Sequence, residues 1–280
     1  MNISGKTKLC VIIGDPVEHS LSPAMHNAGY EALGIDDTFA FVAAHVKPEG
    51  LNDVVQGVRA MGVRGLTCTI PHKVDVMHYL DAIDPVAQKI GAVNTIVNNN
   101  GILTGYNTDW LGVVTPLEQI TSLRGKKVAL IGAGGAARAM AYGVTERGAK
   151  LVIFNRSLEK AKELATSIGE GIEVHSIQDM NSEALQDVDI ILNATSMGME
   201  SQINETPVPK EFIQPHHIVF DAVYVPSETR LLREAQEQGA TIIRGIEMLL
   251  YQGVAQFELY TGDKAPVEIM RQVLTKHNSL

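Results

Sequence analysis

The feature that most constrains this chain is a glycine-rich turn between an apolar run and a helical segment. The turn reads Gly132-Ala133-Gly134-Gly135-Ala136-Ala137, and it follows a buried strand pattern at residues 126–131. In such a turn the first glycine permits the tight bend, and the second lets a pyrophosphate approach the backbone. The helix that follows presents free N–H groups to the phosphates. The pattern predicts a Rossmann-type dinucleotide-binding domain whose cofactor touches Gly132, Ala133, Gly134, Gly135 and Ala136.

The end of the next predicted strand indicates which dinucleotide is bound. A site selective for NAD has Asp or Glu there, to bind the ribose 2′-hydroxyl. This chain instead reads Asn155-Arg156-Ser157, with Lys160 one turn further on. A guanidinium can grip a 2′-phosphate through two parallel hydrogen bonds. The sequence therefore predicts NADP(H) as cofactor, with Asn155, Arg156, Ser157 and Lys160 around the 2′-phosphate.

Strand-like and helix-like segments alternate along the whole chain, which predicts an α/β fold with parallel sheets covered by helices. We expect two domains with a cleft between them. An N-terminal α/β substrate domain takes residues 1–109 and is completed by C-terminal helices in 246–280, and the Rossmann-type NADP-binding domain takes residues 110–245.

A helix is expected to begin with Ser22 as N-cap and Pro23 at its first position. A hairpin is expected from Ala92–Val97 and Ile102–Tyr106.

Composition excludes several classes of protein. The 280 residues carry a net charge of −9, which argues against a nucleic-acid partner because phosphate backbones need a basic face. Cys10 and Cys68 lie in apolar runs and are expected to be buried small residues rather than a disulfide. No metal-binding pattern is found among the histidines, and His216-His217 suit opposite faces of a strand. No signal peptide or membrane span is expected, so we predict a cytoplasmic protein, either monomer or homodimer.

Redox chemistry on an alcohol needs a side chain that exchanges the hydroxyl proton as hydride moves. Lys73 lies at a strand-to-helix junction, where parallel sheets open onto ligand clefts. Asp109 follows another strand. His72 is expected at the surface or as a cap. In the C-terminal helix Met248, Gln252 and Gln256 are spaced four apart, which places two amides on one face.

Six ordered motifs resemble the shikimate dehydrogenase family over nearly the whole chain. They are Ser20-Leu-Ser22-Pro23, Thr69-Ile-Pro-His-Lys73, Gly91-Ala-Val-Asn94-Thr95, Gly105-Tyr-Asn-Thr-Asp109, Asn193-Ala-Thr-Ser196 and Gln252. The resemblance implies reversible reduction of 3-dehydroshikimate to shikimate with NADPH, in aromatic amino-acid biosynthesis.

The resemblance also implies roles for individual residues. It makes Lys73 and Asp109 the catalytic pair, with the division of roles between them open. Residues implied to bind substrate are Ser20, Ser22, Thr69, Asn94, Tyr224 and Gln252. Positions implied to line the cofactor, besides the two loops above, are Ala194, Thr195, Ala222 and Gly245.

Two positions depart from the family pattern, and alternatives remain open. Thr67 stands where the family usually has Asn, and Glu247 stands where Gly is common. The nearest alternative is a quinate/shikimate dehydrogenase that uses NAD or NADP. A non-catalytic NADP-binding sensor is a second alternative, and it would have no need of Lys73 and Asp109. Another carbonyl reductase of the same plan is disfavoured by the Ser20-Leu-Ser22-Pro23 motif.

Overall fold

The computed structural model describes residues 3–199 and 202–277. The chain forms two compact units. Residues 3–108 and 252–277 belong to the first unit, and residues 109–199 and 202–251 belong to the second.

The first unit is built from six strands and the helices that follow them. Its strands are β1 (Lys8–Gly14), β2 (Phe39–His45), β3 (Gly65–Cys68), β4 (Ala82–Ile83), β5 (Thr95–Asn99) and β6 (Ile102–Tyr106). Its helices are α1 (Ser22–Ala32), α2 (Leu51–Met61), α3 (Pro85–Ile90) and α10 (Val267–His277), with 3-10 turns at Pro48–Gly50 and Asp75–Tyr79. Helix α9 (Gly245–Thr261) contributes its second half, from Gln252 onward.

The sheet of this unit has the strand order β2-β1-β3-β5-β6-β4. Strands β1, β2 and β3 are parallel, but β5 runs antiparallel to both β3 and β6. The sheet is therefore mixed rather than wholly parallel, because a two-residue hairpin can join only antiparallel strands. Asn100 and Gly101 form that turn with φ of 54° and 89°, the left-handed geometry that matches strand twist.

The second unit contains a six-stranded sheet that is parallel throughout, with the order β12-β11-β10-β7-β8-β9. Its strands are β7 (Lys127–Ile131), β8 (Lys150–Asn155), β9 (Glu173–Ser176), β10 (Ile190–Asn193), β11 (Ile218–Asp221) and β12 (Thr241–Ile243). Its helices are α4 (Asp109–Glu118), α5 (Gly135–Glu146), α6 (Leu158–Ile168), α7 (Ser182–Gln186), α8 (Arg230–Glu237) and the first half of α9, with 3-10 turns at Ile177–Asp179 and Lys210–Phe212.

Alternate residues of the central strand β7 enter two separate apolar clusters. Val128 and Leu130 pack into one cluster, while Ala129 and Ile131 pack into the other. Because successive strand residues point to opposite faces, both faces of this sheet are buried under helices. That arrangement is the doubly wound α/β architecture predicted from the glycine-rich turn and the strand–helix alternation.

Two local expectations were wrong. Ser22 does not cap α1: the helix begins at Ser22, Leu21 occupies the N-cap position, and the Ser22 amide instead donates to Ser20 Oγ at 3.3 Å. His72 is neither a surface residue nor a cap. It is buried, and its Nε2 lies 2.7 Å from the carbonyl oxygen of Val46, the residue that follows the parallel strand β2.

Among the residues described, no helix combines the length and apolar character needed to cross a bilayer.

Candidate active site

In the first unit, the candidate substrate residues lie at one edge of the sheet. Ser20 and Ser22 follow β1, and Thr69 and Lys73 follow β3. Asn94 precedes β5, which runs in the opposite direction, so the start of β5 meets the ends of its neighbours. The sheet topology thus brings together residues that are far apart in sequence, at the carboxyl edge where α/β sheets bind ligands.

Backbone hydrogen bonds tie these segments to one another. The Cys68 amide donates to the Asn94 carbonyl at 2.8 Å, and the Val93 amide donates to the Lys73 carbonyl at 2.7 Å. The segment carrying Lys73 is therefore anchored directly to the segment carrying Asn94. On the other side, a Cβ on Gly14 would collide with the Thr69 methyl group, so only glycine lets the ends of β1 and β3 approach this closely.

Asn94 is the most tightly held of the candidate residues. It is buried, and its Oδ1 accepts from the Thr108 amide and the Thr95 hydroxyl, each at 2.8 Å. Its Nδ2 donates to Thr108 Oγ1 at 3.0 Å and lies 3.5 Å from Gln252 Oε1. The structure thus joins Asn94 to Gln252, the glutamine singled out on α9, and both side chains are almost wholly buried.

Burial determines the protonation state of the two cysteine thiols in this unit. Cys68 is fully buried, and burial raises the pKa of its thiol to about 12 although the nearby Lys73 charge acts in the opposite direction. Cys10 is also buried, with its pKa raised to about 12 by desolvation. Both thiols stay protonated near neutral pH and are poor nucleophiles, in agreement with their interpretation as small buried residues.

In the second unit, the glycine-rich turn connects β7 to α5 as predicted. Gly132 has φ of 113°, and a Cβ there would lie 3.3 Å from the Ala194 carbonyl group. By contrast, a Cβ built on Gly134 or Gly135 meets no atom of the described residues within 4 Å. Gly134 is the N-cap of α5, and having no side chain it cannot cap that helix end itself. In the described residues no side-chain hydrogen bond caps this helix end, which leaves its first-turn N–H groups suited to a dinucleotide pyrophosphate.

The end of β8 carries the residues predicted for the 2′-phosphate. Arg156 and Lys160 are exposed, and Ser157 caps α6 by accepting from the Lys160 amide at 3.4 Å. Asn155 Nδ2 donates to the Ser157 carbonyl at 2.8 Å and fixes the turn between them. A capped helix N-terminus beside an accessible guanidinium is chemically suited to a phosphate dianion.

A buried polar network lies at the ends of β10 and β11, and sequence reasoning missed its centre. Asp221 is completely buried and accepts from Asn193 Nδ2, the Val223 amide and the Thr229 hydroxyl at 2.9, 3.0 and 2.6 Å. Burial raises the pKa of Asp221 to about 6. The signal that could have revealed it is an aspartate at the last position of the otherwise apolar strand β11 (Ile218–Asp221).

The same network positions the remaining cofactor candidates. Asn193 Oδ1 accepts from the Thr195 amide and hydroxyl at 3.0 and 2.7 Å, which holds the Ala194–Thr195 turn. The Ala222 amide donates to the Asn193 carbonyl at 2.9 Å. Gly245 packs directly on this backbone, because a Cβ there would lie 2.6 Å from the Val223 carbonyl carbon. Ala194, Thr195, Ala222 and Gly245 are therefore brought together at the carboxyl edge of the second sheet.

Three further candidates lie in the second unit. Asp109 is buried at the start of α4. Tyr224 follows β11 and is partly buried, which raises its pKa. Glu247 lies in the first turn of α9, and the nearby Arg244 pairs with Glu228 at 3.2 Å. Across the described part of the chain, no group of three or more His, Cys, Asp or Glu side chains is arranged to hold a metal ion.

Fold and site together define a two-unit α/β oxidoreductase of the dinucleotide-binding class. Family models match three successive segments: a shikimate dehydrogenase substrate binding domain at residues 12–96, a shikimate / quinate 5-dehydrogenase at residues 116–226, and a shikimate 5′-dehydrogenase C-terminal domain at residues 245–275. The chain therefore belongs to the shikimate dehydrogenase family.

Individual relatives agree with that assignment. The chain is 44% identical to the shikimate dehydrogenase (NADP(+)) of Desulforamulus reducens, over 98% of this chain and 97% of the relative. A crystal structure of a shikimate dehydrogenase in complex with NADP+ is similar with a TM-score of 0.92, at 40% identity over 98% of this chain and 97% of that one. The Thermus thermophilus shikimate 5-dehydrogenase in complex with NADP(H) and shikimate is similar with a TM-score of 0.88, at 34% identity over 96% and 99%.

Proposed function

We propose that this chain catalyses the NADP(H)-dependent, reversible reduction of 3-dehydroshikimate to shikimate, a step of aromatic amino-acid biosynthesis. The observation that carries the proposal is the group of side chains at the edge of the first sheet. There, Thr69 lies on the segment that carries Lys73, the Val93 amide next to Asn94 donates to the Lys73 carbonyl at 2.7 Å, and Ser20 follows the neighbouring strand β1. A small polyhydroxy acid requires this set of uncharged donors and acceptors with few charges.

The substrate has one carboxylate and several hydroxyl groups, and the candidate residues divide accordingly. Ser20 and Ser22 hold the carboxylate through their hydroxyls, with Tyr224 near it. Thr69, Asn94 and Gln252 bind the ring hydroxyls. Support for the second set comes from the hydrogen bonds that already fix Asn94 against Thr108 and Gln252.

NADP(H) carries the hydride when it is bound. In the second unit, the open backbone at Gly134 and Gly135 receives the pyrophosphate, and Arg156 with Lys160 receives the 2′-phosphate. Asn155 and Ser157 hold that turn. The rest of the cofactor, apart from its pyrophosphate and 2′-phosphate, is lined by Ala194, Thr195, Ala222 and Gly245.

The proton that accompanies hydride transfer is handled by Lys73 and Asp109. In the direction of reduction, the oxygen on C3 gains a proton as its carbonyl becomes a hydroxyl. Lys73 supplies that proton and takes it back in the reverse reaction, and Asp109 orients the reacting groups. General acid–base catalysis of this kind contributes about 10²- to 10⁴-fold to a rate.

The test is the absorbance change of NADPH with purified protein and shikimate plus NADP+. The wild type should reduce NADP+, and Lys73→Met and Asp109→Asn should each lower kcat at least about a hundredfold. Lys89→Met, which removes an exposed lysine at the end of α3, should leave turnover unchanged. Absence of shikimate oxidation by the wild type would overturn the proposal. Near-normal turnover of either site variant would overturn the role given to that residue.

Quinate is the second candidate substrate, since one matching family model covers both shikimate and quinate dehydrogenases. Quinate carries an additional hydroxyl on C1, beside the carboxylate that Ser20 and Ser22 are proposed to hold. Comparing kcat/KM for the two acids with NADP+ and with NAD+ decides between them. A higher kcat/KM for quinate would replace the proposed substrate.

A further inference from the structure

Two glutamines of α9 hold two consecutive residues at the start of β5. Gln252 Oε1 lies 3.5 Å from Asn94 Nδ2, and Gln256 Nε2 donates to Thr95 Oγ1 at 3.1 Å. The glutamines are one helical turn apart, so both side chains reach the same face of the helix. Gln256 and Thr95 are completely buried and belong, with Asn94 and Gln252, to the first unit.

The hydrogen bonds extend beyond Gln256 to the end of the helix. Thr67 Oγ1 donates to Gln256 Oε1 at 3.4 Å and lies 2.8 Å from the Tyr260 hydroxyl. Thr67 is one of the two positions where the sequence departs from the family pattern, and its hydroxyl is used inside this network. Tyr260 reaches it because Gly65 has no side chain: a Cβ there would lie 2.5 Å from the ring.

The direction of each hydrogen bond in this network is determined by its neighbours. An amide oxygen has no proton, so Thr67 must donate to Gln256 Oε1 and must accept from Tyr260. Likewise, an amide nitrogen only donates, so Gln256 occupies the acceptor side of the Thr95 hydroxyl. The Thr95 proton has two oxygens within reach, Asn94 Oδ1 at 2.8 Å and Thr108 Oγ1 at 3.3 Å, and the shorter distance favours donation to Asn94 Oδ1. The donors run in one direction, from Tyr260 through Thr67, Gln256 and Thr95 to Asn94.

We propose that Gln256 is a positioning residue for substrate binding, because through Thr95 it reinforces the orientation of the Asn94 side-chain amide that the Thr108 backbone amide also requires. With Oδ1 accepting from Thr95 and the Thr108 amide, the Asn94 Nδ2 donates to Thr108 Oγ1 at 3.0 Å and lies 3.5 Å from Gln252 Oε1, so a substrate oxygen that contacts Asn94 beside Gln252 meets the donor side of the amide. The substrate oxygen that Asn94 contacts is thus recognised as an acceptor. The inference rests on the proposed function, in which Asn94 binds a ring hydroxyl.

The first experiment compares kinetic constants of variants that break the network. Gln256→Met keeps the length of the side chain but removes both hydrogen bonds. We expect it to raise KM for shikimate about tenfold, the order expected for losing one buried hydrogen bond, with kcat changed far less and NADP+ affinity unchanged. Thr95→Val should have the same effect, and Thr95→Ser, which retains the hydroxyl, should restore the wild-type KM. Tyr30→Phe removes another buried hydroxyl of the same unit, on α1, and should change neither constant.

The double variant Gln256→Met/Thr95→Val separates the relay from simple packing. If Gln256 acts through Thr95, the second substitution adds little to the effect of the first, since both break one connected path. Independent packing effects would instead multiply, and that result would overturn the inference.

Gln256→Glu provides a readout that packing alone does not move. In this variant a protonated carboxyl at position 256 can donate to Thr95 as the amide does, whereas an ionised carboxylate only accepts and draws the Thr95 proton away from Asn94. We therefore expect the variant's KM for shikimate, relative to wild type at the same pH, to rise with pH. The titratable groups near this position are His26 on α1 and Tyr260 on α9, and Cys10, Cys68 and Arg64 act on Tyr260. In the wild type, burial lowers the pKa of His26 to about 3 and raises that of Tyr260 well above its usual value, so neither group titrates in the reference series.

The outcomes distinguish this inference from the proposed function. A wild type that does not oxidise shikimate contradicts the proposed function. An active wild type whose Gln256→Met variant has an unchanged KM contradicts only the positioning role. The positioning role is also contradicted if the ratio of the Gln256→Glu KM to the wild-type KM is constant across pH and all variants show the same increase in KM. Thermal unfolding of each variant identifies any that fail to fold, and Gln256→Glu, which has nearly the shape of the native side chain, keeps the test available if Gln256→Met does not fold.

Discussion

Asn193 and Asp221 occupy equivalent positions on neighbouring parallel strands, and the amide of one donates to the carboxylate of the other at 2.9 Å. The two residues are the last of β10 and β11, and their side chains accept hydrogen bonds from the Thr195 and Val223 amides in the turns that follow. Because the carboxylate is completely buried, its ionised form is stabilised by three hydrogen bonds but penalised by lost solvation. The net effect of burial is to raise its pKa to about 6.

The raised pKa of Asp221 predicts a pH dependence of stability. Between the unfolded pKa of 3.8 and the folded value of about 6, the native state binds more protons than the unfolded state. The contribution of this group to the free energy of unfolding therefore falls as pH rises, by about 2 kcal/mol from about pH 4 to about pH 7. Asp221→Asn should lack this slope in urea denaturation at several pH values. Parallel pH profiles of the wild type and the variant would contradict it.

His26 predicts the opposite slope in the first unit. Its ring is fully buried against Phe41, with centroids 4.3 Å apart, and burial lowers its pKa to about 3. The native state binds fewer protons than the unfolded state as pH falls below 6.5, so stability is lost toward acid. The expected loss is about 3 kcal/mol between about pH 7 and about pH 4. His26→Leu should remove this part of the acid sensitivity in the same denaturation series. A variant as acid-sensitive as the wild type would show that His26 is not its source.

Arg156 should decide between the two dinucleotides. Arg156→Ala removes the guanidinium proposed to grip the 2′-phosphate, and a hydrogen bond to a charged group contributes about 1.5–3 kcal/mol. The dissociation constant for NADP+ should rise about tenfold to a hundredfold, while that for NAD+ changes little. Lys162→Ala, which removes an exposed charge on α6, serves as the control for general electrostatics. Equal weakening of both dinucleotides in Arg156→Ala would contradict selective recognition of the 2′-phosphate.

Gly245 should tolerate no side chain. A Cβ there would overlap the Val223 carbonyl, which is backbone and cannot rotate away as a side chain can. Gly245→Ala should lower the free energy of unfolding by about 1–3 kcal/mol, the usual effect of overpacking, and should weaken NADP+ binding as the Ala222–Val223 turn shifts. Chemical denaturation and NADP+ titration measure the two effects.

Gly57→Ala is the matched control for that substitution. Gly57 lies inside α2, where a Cβ would meet its nearest atom at an ordinary 3.7 Å. Replacement by alanine should stabilise the protein by about 0.5–1 kcal/mol, because glycine is a poor helix former. A Gly245→Ala protein that is as stable as Gly57→Ala would contradict the steric argument.

The sequence by itself determined the features that depend on neighbouring residues. The strand–turn–helix unit around Gly132, and the absence of an acid at the Asn155-Arg156-Ser157 turn, are both local patterns. A phosphate site of this kind is built from consecutive backbone amides, so its geometry follows from consecutive residues. The hairpin at Asn100-Gly101 was predictable for the same reason.

Only the tertiary structure decided which distant residues meet. Asn94 and Gln252 are 158 positions apart, and Thr95 and Gln256 are 161 apart. Periodicity indicates which face of an element is buried but not which element covers it, so spacing on α9 could place two amides on one face without identifying their partners. Strand order likewise decides that β5 is inserted antiparallel to its neighbours. It also decides that the side chains of His72 and Asp221 are buried. Strand order is set by long-range pairing and packing, and these are properties of the folded chain as a whole.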